Sequence, residues 1–327
     1  MEKPNILFMI THDTGRYFGT YGYSVNTPEI DKLAEEGIRF DEYYCPAPQC
    51  SPSRGSILTG KYPHNNGLIG LAHKGFSINK EMSTLPKELN DAGYETTLVG
   101  FSHETIGDEE LGVSSSNIDL GYKSYIPVEG NLSPDVADEV VKLLEKKSIE
   151  NNKRPFFMNI GFDETHRPFD GYKEWADDPD TIEVPPYLPD TKKVREDFAL
   201  FHGSVKVLDR SVGRIMRKLK QTEFYKNTIV VFTTDHGIAF PRAKGTLKDT
   251  GLETALIIAS PELIKKGSIN RDLLCNIDMM PTLLDLAQAK PSQDLDGKSF
   301  ASLIRKSDEA KEIRESFFAE MTWHDQY

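Results

Sequence analysis

Residues 6–11 (Ile-Leu-Phe-Met-Ile-Thr) form an unbroken, largely apolar run close to the start of the chain. A run of that length without polar alternation predicts a strand covered on both faces, as in a parallel sheet. Comparable runs at 96–100, 156–161, 228–233 and 256–259 predict four more strands, the 228–233 run being strongly β-branched. The intervening segments change to helical spacing. Thr27 can cap and Pro28 suits a first helical position, Ile30, Leu33 and Ala34 make an apolar stripe, and Gly37 ends it. Ser133-Pro134 opens a second helix, with Val136, Val140, Leu143 and Leu144 on one face. Phe198, Phe201, Val205, Leu208, Val212, Ile215 and Leu219 predict a long helix, and 280–287 another. Strands alternating with helices predict an α/β sheet with helices on both faces. Residues 170–193, rich in Asp, Pro and Tyr, read as a long surface loop. Residues 317–321 read as a further strand, after which the chain stops at 327 without a closing element.

Composition narrows the function classes. The 327 residues are 38% hydrophobic, enough for a sizeable core, and carry a net charge of -12. An acidic chain without a long basic run argues against nucleic-acid binding. Three cysteines, Cys45, Cys50 and Cys275, are too few for a disulfide scaffold or a four-cysteine zinc site. No apolar run approaches the ~20 residues of a membrane span. The run at 6–10 is too short for a signal peptide and lacks a small-residue cleavage site after it. A cytoplasmic location without membrane attachment is therefore the expectation for the chain as it stands.

In α/β sheets ligands bind beyond the carboxyl ends of the strands, so polar residues there are the first candidates for chemistry. His12 and Asp13 follow the first strand, His103 the second, Asp163, Glu164 and His166 the third, and Thr234, Asp235 and His236 the fourth. Any one of these could be a loop hydrogen bond. Four strands delivering carboxylates or imidazoles to one edge point to a divalent cation, although the mixture does not name it. A second feature is Cys50-Ser51-Pro52-Ser53-Arg54-Gly55. A helix beginning near Pro52 puts Cys50 at its N-terminus, where free N–H groups favour an anion, and Arg54 adds a cation one turn on. Taken alone, the same pentapeptide also fits a small buried cysteine before a helix.

Cys50-Ser51-Pro52-Ser53-Arg54, followed by Ser56-Ile57-Leu58-Thr59-Gly60, resembles the signature of the type I sulfatases, whose cysteine is oxidised after synthesis to formylglycine. The likeness extends along nearly the whole chain. Pro4-Asn5-Ile6-Leu7 leading to His12-Asp13 resembles the family's first strand and metal loop, and the stretch from Asn26 to Ala34 its first helix. Thr234-Asp235-His236-Gly237 resembles its second metal motif, and Lys244-Gly245-Thr246-Leu247 the stretch holding a substrate lysine. The stretches from Ile277 to Asp285 and from Leu295 to Ser299 resemble its late landmarks. Residues 49–67 and 237–241 look most like the sulfamidase (heparan N-sulfatase) branch.

The resemblance implies an alkaline phosphatase-like fold: a large, mostly parallel sheet between helices, with a smaller C-terminal antiparallel domain. On that pattern 1–310 would be the catalytic domain, and 311–327 the start of a C-terminal subdomain cut short, with His324 in a region that in relatives approaches the active site. The resemblance also implies hydrolysis of sulfate esters or sulfamates of a small molecule or carbohydrate, and a formylglycine-generating enzyme as maturation partner. Cys50, Arg54, His103, His166 and Lys244 would be catalytic, and Asp13, Cys50, Asp235, His236 and His12 would hold the metal. The hydrated aldehyde at Cys50 would attack sulfur, His166 or Lys244 would protonate the leaving group, and His103 would take the proton that expels sulfate.

Three departures from the family pattern stand out. Many relatives have Asp-Asp where this chain has His12-Asp13, and Asp-Asn where it has Asp235-His236. Calcium, expected from the resemblance, thus meets two imidazoles, and a softer ion such as manganese becomes a candidate. Phe101 stands where the family usually has a lysine. The alternative reading is a phosphonate monoester hydrolase or phosphodiesterase of the same superfamily, with which a histidine in the second metal motif is compatible. A non-catalytic, anion-binding remnant is a third reading, against which the joint presence of these residues speaks. Cys45 and Cys275 read as packed thiols. His64 reads as a substrate contact or a structural hydrogen bond, His73 and His202 as solvent or core histidines, and Asp163 and Glu164 as partners of His166 or strand-end caps. Specificity would lie in the loops at 104–130 and 170–193.

Overall fold

The structure is a computed structural model that describes residues 2–105, 119–150, 154–262, 264, 266–305 and 313–321. Its strands are β1 (Asn5–Thr11), β2 (Ile38–Phe40), β3 (Tyr43–Tyr44), β4 (Glu95–Gly100), β5 (Ser124–Ile126), β6 (Phe156–Gly161), β7 (Thr228–Thr234), β8 (Leu256–Ala259), β9 (Ser268–Asn270) and β10 (Leu274–Cys275). The helices are α1 (Pro28–Glu36), α2 (Cys50–Thr59), α3 (Pro63–Asn66), α4 (Leu85–Asp91), α5 (Ser133–Glu150), α6 (Lys192–Lys220), α7 (Asp249–Leu252), α8 (Met279–Leu286) and α9 (Ala301–Ile304).

Eight strands form one sheet in the order β5-β4-β6-β1-β7-β8-β2-β9. All neighbours are parallel except β8, which runs antiparallel to β7 and β2. β1 lies at the centre, paired with β6 and β7 over its length, and every one of its residues is buried. Its side chains alternate between two cores. Leu7 and Met9 face the layer containing α1, α5 and α6, while Ile6, Phe8 and Ile10 face the layer containing α2, α4, α8 and α9. The α/β class and the large, mostly parallel sheet follow the expectation. No helix of the described residues is long and apolar enough to cross a membrane.

Some boundaries differ from the hydropathy reading. The long helix α6 starts at Lys192, six residues before its apolar stripe, because the Thr191 side chain accepts from Val194 N and starts a polar first turn. α2 begins at Cys50 itself rather than near Pro52. Residues 317–321 are not a strand: Glu320 N donates to Pro46 O and Phe318 N to the Tyr62 hydroxyl, so this backbone is tied to loops and not to a neighbouring strand. His324 and parts of 311–327 and of 104–130 lie outside the described residues. The 170–193 segment opens with a 3-10 stretch, Asp170–Trp175, and continues as loop to Thr191, its last two residues already belonging to α6.

Candidate active site

Adjacent strands β4, β6, β1 and β7 all point the same way, so their carboxyl ends open onto one edge. There the loops after them carry His103, Asp163 to His166, His12-Asp13 and Asp235-His236. Two glycines bring β4 and β6 close enough for this. Gly100 has a left-handed φ of 77°, and a Cβ on Gly161 would lie 1.9 Å from Phe101 O. Asp13 also sits in the left-handed region, with φ 55°, which turns its carboxylate back over the strand end.

Cys50 is placed by α2, a helix whose ten residues are all buried although half of them are polar. Two of its polar side chains, Ser53 and Arg54, bond to residues at the strand ends, and a third, Ser51, ties in a neighbouring turn. Ser53 Oγ donates to Asp235 O and accepts from Asn276 Nδ2, and Ser51 Oγ accepts from Ala72 N. The thiol lies 2.9 Å from His12 Nε2 and 3.3 Å from His236 Nε2. Arg54, one turn on and fully buried, donates from Nε to Asp235 Oδ2 at 3.0 Å and from Nη2 to Thr11 O at 3.1 Å. Its guanidinium lies 4.9 Å from the centre of the Phe101 ring, so Phe101 packs against Arg54 in place of a second cation.

His12, Asp13, Cys50, Asp235 and His236 each offer a ligand atom, all within 4.8 Å of one another and all buried. Asp235 Oδ1 accepts from the amides of Asp13 and His236, locking the two metal motifs together. Burial opposes ionisation of Asp13, but Lys244, His12 and His236 outweigh it and hold its carboxyl well below the usual range. Burial pulls His236 down, yet Asp235, Cys50 and Asp13 together push it well above its ordinary value. A buried carboxylate held ionised at Asp13, beside the buried Asp235 and two imidazoles, is the electrostatics of a cation site. His12 Nδ1 is buried with no hydrogen-bond partner among the described residues. With two carboxylates, two imidazoles and a sulfur position, the donor set fits a divalent cation.

Lys244 Nζ lies 2.6 Å from Asp13 Oδ2, and this contact outweighs burial to raise its pKa. His166 Nδ1 bonds to Arg167 O at 2.8 Å, and its Nε2 lies 3.9 Å from Asp13 Oδ2. Its ring stacks on His12 at 4.4 Å. His103 is 5.9 Å from His12, ring to ring, and burial, then Arg54, lowers its pKa to about 4.

The structure thus brings together the nine residues that the sequence suggests as catalytic or metal-binding: His12, Asp13, Cys50, Arg54, His103, His166, Asp235, His236 and Lys244. The two other cysteines are buried, and burial raises both thiols, Cys275 to about 12. His64 bonds to Glu320 at 2.8 Å, a structural contact, and His202 is a core histidine on Asp177. Glu164 accepts from Ser133 N at the start of α5. Sequence reasoning missed Ser53 and Asn276, which link α2 to the Asp235 backbone. It also missed His73, whose Nδ1 lies 3.0 Å from His103 Nε2.

The family model described as Sulfatase matches residues 4–289. N-sulphoglucosamine sulphohydrolase of Homo sapiens is 30% identical over 312 residues, covering 86% of this chain and 60% of that protein. An ulvan-active sulfatase of Formosa agariphila is 31% identical over 314 residues, covering 94% of this chain and 59% of its own length. The chain therefore spans about three fifths of these relatives. Among solved structures, one in complex with D-glucosamine-2-N,6-O-disulfate aligns with a TM-score of 0.74 at 21% identity, covering 95% of this chain and 82% of that one. A phosphonate monoester hydrolase from Silicibacter pomeroyi aligns at 0.76 with 20% identity, covering 94% and 78%. These two likenesses speak for the fold. With the family model spanning most of the chain and the cysteine, histidine and carboxylate motifs gathered at one sheet edge, this chain belongs to the sulfatase family.

Proposed function

We propose that the protein hydrolyses sulfate esters or sulfamates of a sugar, with residue 50, matured from cysteine to formylglycine, as its nucleophile. The observation that carries this reading is the position of Cys50: first residue of a buried helix, within 3.3 Å of two imidazoles and one turn from a buried arginine. The names of the human and Formosa relatives support a sulfated sugar as substrate class. The maturation partner would be a formylglycine-generating enzyme.

His12, Asp13, Asp235 and His236, with residue 50, would hold the divalent cation. Bound there, a cation supplies Lewis-acid stabilisation of charge on oxygen. Calcium prefers six to eight oxygen ligands, whereas two buried imidazoles move the preference toward a transition metal, and the two carboxylates keep manganese among the candidates. Formylglycine supplies a hydrated aldehyde, whose second hydroxyl allows sulfate to leave where a thiol could not. Arg54, Lys244 and the free amides at the start of α2 would hold the sulfuryl oxygens. Lys244 is kept charged by Asp13, so His166, its Nδ1 tied to a carbonyl and its Nε2 turned toward Asp13, is the better proton donor to the leaving group. His103 stays neutral above about pH 5 and can accept the hydroxyl proton at residue 50.

A panel of matched sugar sulfates, sulfamates and phosphonate monoesters, offered to matured protein, tests the reading. Faster turnover of a sulfate or sulfamate is expected. Fastest turnover of the phosphonate would establish the second reading, which His236 in the metal motif favours.

A further inference from the structure

His73 and His103 lie thirty positions apart in sequence, and the active-site reading above uses only the second. His73 Nδ1 is 3.0 Å from His103 Nε2, the ring planes differ by 10°, and the centroids are 5.2 Å apart. That separation is close to the N···N distance plus two ring radii, so the rings meet edge to edge with the shared hydrogen bond lying in both planes. His73 is exposed to solvent, whereas the other ring nitrogen of His103, Nδ1, is buried with no partner among the described residues. The pair therefore spans from a buried ring nitrogen to a solvent-exposed ring. It is also tied to the nucleophile. Ser51, next to Cys50, accepts from Ala72 N and so fixes the turn Ala72–Lys74 that carries His73.

We propose that His73 is a positioning residue that gives His103 a proton exit: a two-histidine path from the active site to solvent. The inference rests on the sulfatase reading, in which His103 takes a hydroxyl proton at residue 50. The O–H bond breaks with its electron pair left on oxygen, and the proton binds His103 Nδ1. His103 passes its Nε2 proton to His73 Nδ1, and His73 releases its own Nε2 proton to water. Each histidine ends neutral with its proton on the opposite nitrogen, and one proton reaches solvent. On this path His103 carries hydrogen on Nε2, donates it to His73 Nδ1 and keeps its own Nδ1 open as the acceptor.

Two variants separate a proton path from simple support. His73→Asn keeps an oxygen that can accept from His103 but cannot pass a proton on, and His73→Ala removes both functions. In matured protein we expect both to lower kcat by about tenfold or more with KM little changed, consistent with loss of general acid–base assistance. Imidazole in the buffer should restore kcat to His73→Ala, and a proton inventory in H2O/D2O mixtures should change from curved to linear. Full kcat in His73→Asn would reduce His73 to a support and overturn the path. A loss confined to KM would make it a substrate contact and overturn it equally. A readout independent of turnover is available in the unmatured protein, where nitrogen-15 NMR of labelled histidine should show His103 protonated at Nε2 and not at Nδ1. The opposite tautomer would overturn the proposal even if the sulfatase reading held. Absence of turnover in matured wild-type protein, with the expected tautomer intact, would locate the failure in the sulfatase reading.

Discussion

Gly161 is the position where one added methyl group should damage the site most directly without touching a proposed catalytic residue. A Cβ there would lie 1.9 Å from Phe101 O and 2.8 Å from Phe101 C, against 3.4 Å for the near edge of ordinary contact. Phe101 cannot simply retreat, because its amide donates to Gly161 O at 2.9 Å. Relief therefore requires β4 and β6 to part by more than about 1 Å at their carboxyl ends. Phe101 stacks on His12 at 4.7 Å and underlies Arg54 at 4.9 Å, and His103 follows two residues on. Overpacking of this kind costs about 1–3 kcal/mol, which in a domain of this size lowers Tm by roughly 1.5–4 °C. A misplacement of about 1 Å at a catalytic group can cost ~10²-fold in rate. Gly161→Ala should therefore lower Tm by a few degrees and kcat/KM by about a hundredfold in matured protein. Gly171→Ala, where an added Cβ meets nothing within 4 Å, is the control and should change neither. Thermal unfolding with steady-state kinetics on both variants decides it. Wild-type Tm and kcat/KM in Gly161→Ala would refute the argument that the glycine pair sets the spacing of this edge.

Arg54→Ala removes the buried partner of Asp235 and should destabilise the metal-free protein by about 3–5 kcal/mol, read by denaturant unfolding. Loss below about 1 kcal/mol would show that Asp235 finds another partner. Manganese at a hundredfold excess over its Kd should stabilise the chelator-treated protein by about 2.7 kcal/mol, and calcium at that same concentration should give less. His236→Asn, which exchanges a nitrogen for an oxygen ligand, should move the preference toward calcium, and equal calorimetric affinities before and after would contradict the donor-set argument. Asp209 accepts from the amides of Glu29 and Ile30, and burial, with Glu29 and Asp31 adding, raises its carboxyl to about 7. Because the folded value lies above the unfolded one, near 3.9, its contribution to stability is complete below about pH 4 and is lost as pH rises through 7. Asp209→Asn should therefore gain stability relative to wild type between pH 4.5 and pH 8, and a difference independent of pH would contradict this.

The sheet was legible because its central strands are buried on both faces, so 6–11, 156–161 and 228–233 stand out as unbroken apolar runs. The site was legible for a related reason: strand ends in such a sheet are few and converge, so His12-Asp13, Asp235-His236 and His103 had one common edge to occupy. β2, β5 and β9 span three residues each, too short for a period to show. The depth of α2 was hidden by its composition. Ser51, Ser53 and Thr59 are fully buried, and hydropathy assigns such residues to the surface, whereas here their hydroxyls bond to neighbouring backbone, that of Ser53 to Asp235 O just beyond a strand end. His73 left no trace in sequence because its importance comes from a contact across thirty residues. Residues 317–321 misled because Phe317 and Phe318 suggest a strand, while Phe317 instead stacks on Tyr44 at 5.2 Å.

The central claim is that Cys50 becomes an aldehyde. Trypsin cuts after Arg39 and Arg54, so residue 50 lies in the peptide spanning 40–54. The mass of that peptide, from protein made together with a formylglycine-generating enzyme and measured with and without an aldehyde-trapping hydrazide, tests the claim directly. The account predicts the mass of formylglycine at position 50 and its shift to the hydrazone on trapping. An unmodified thiol under those conditions would contradict it.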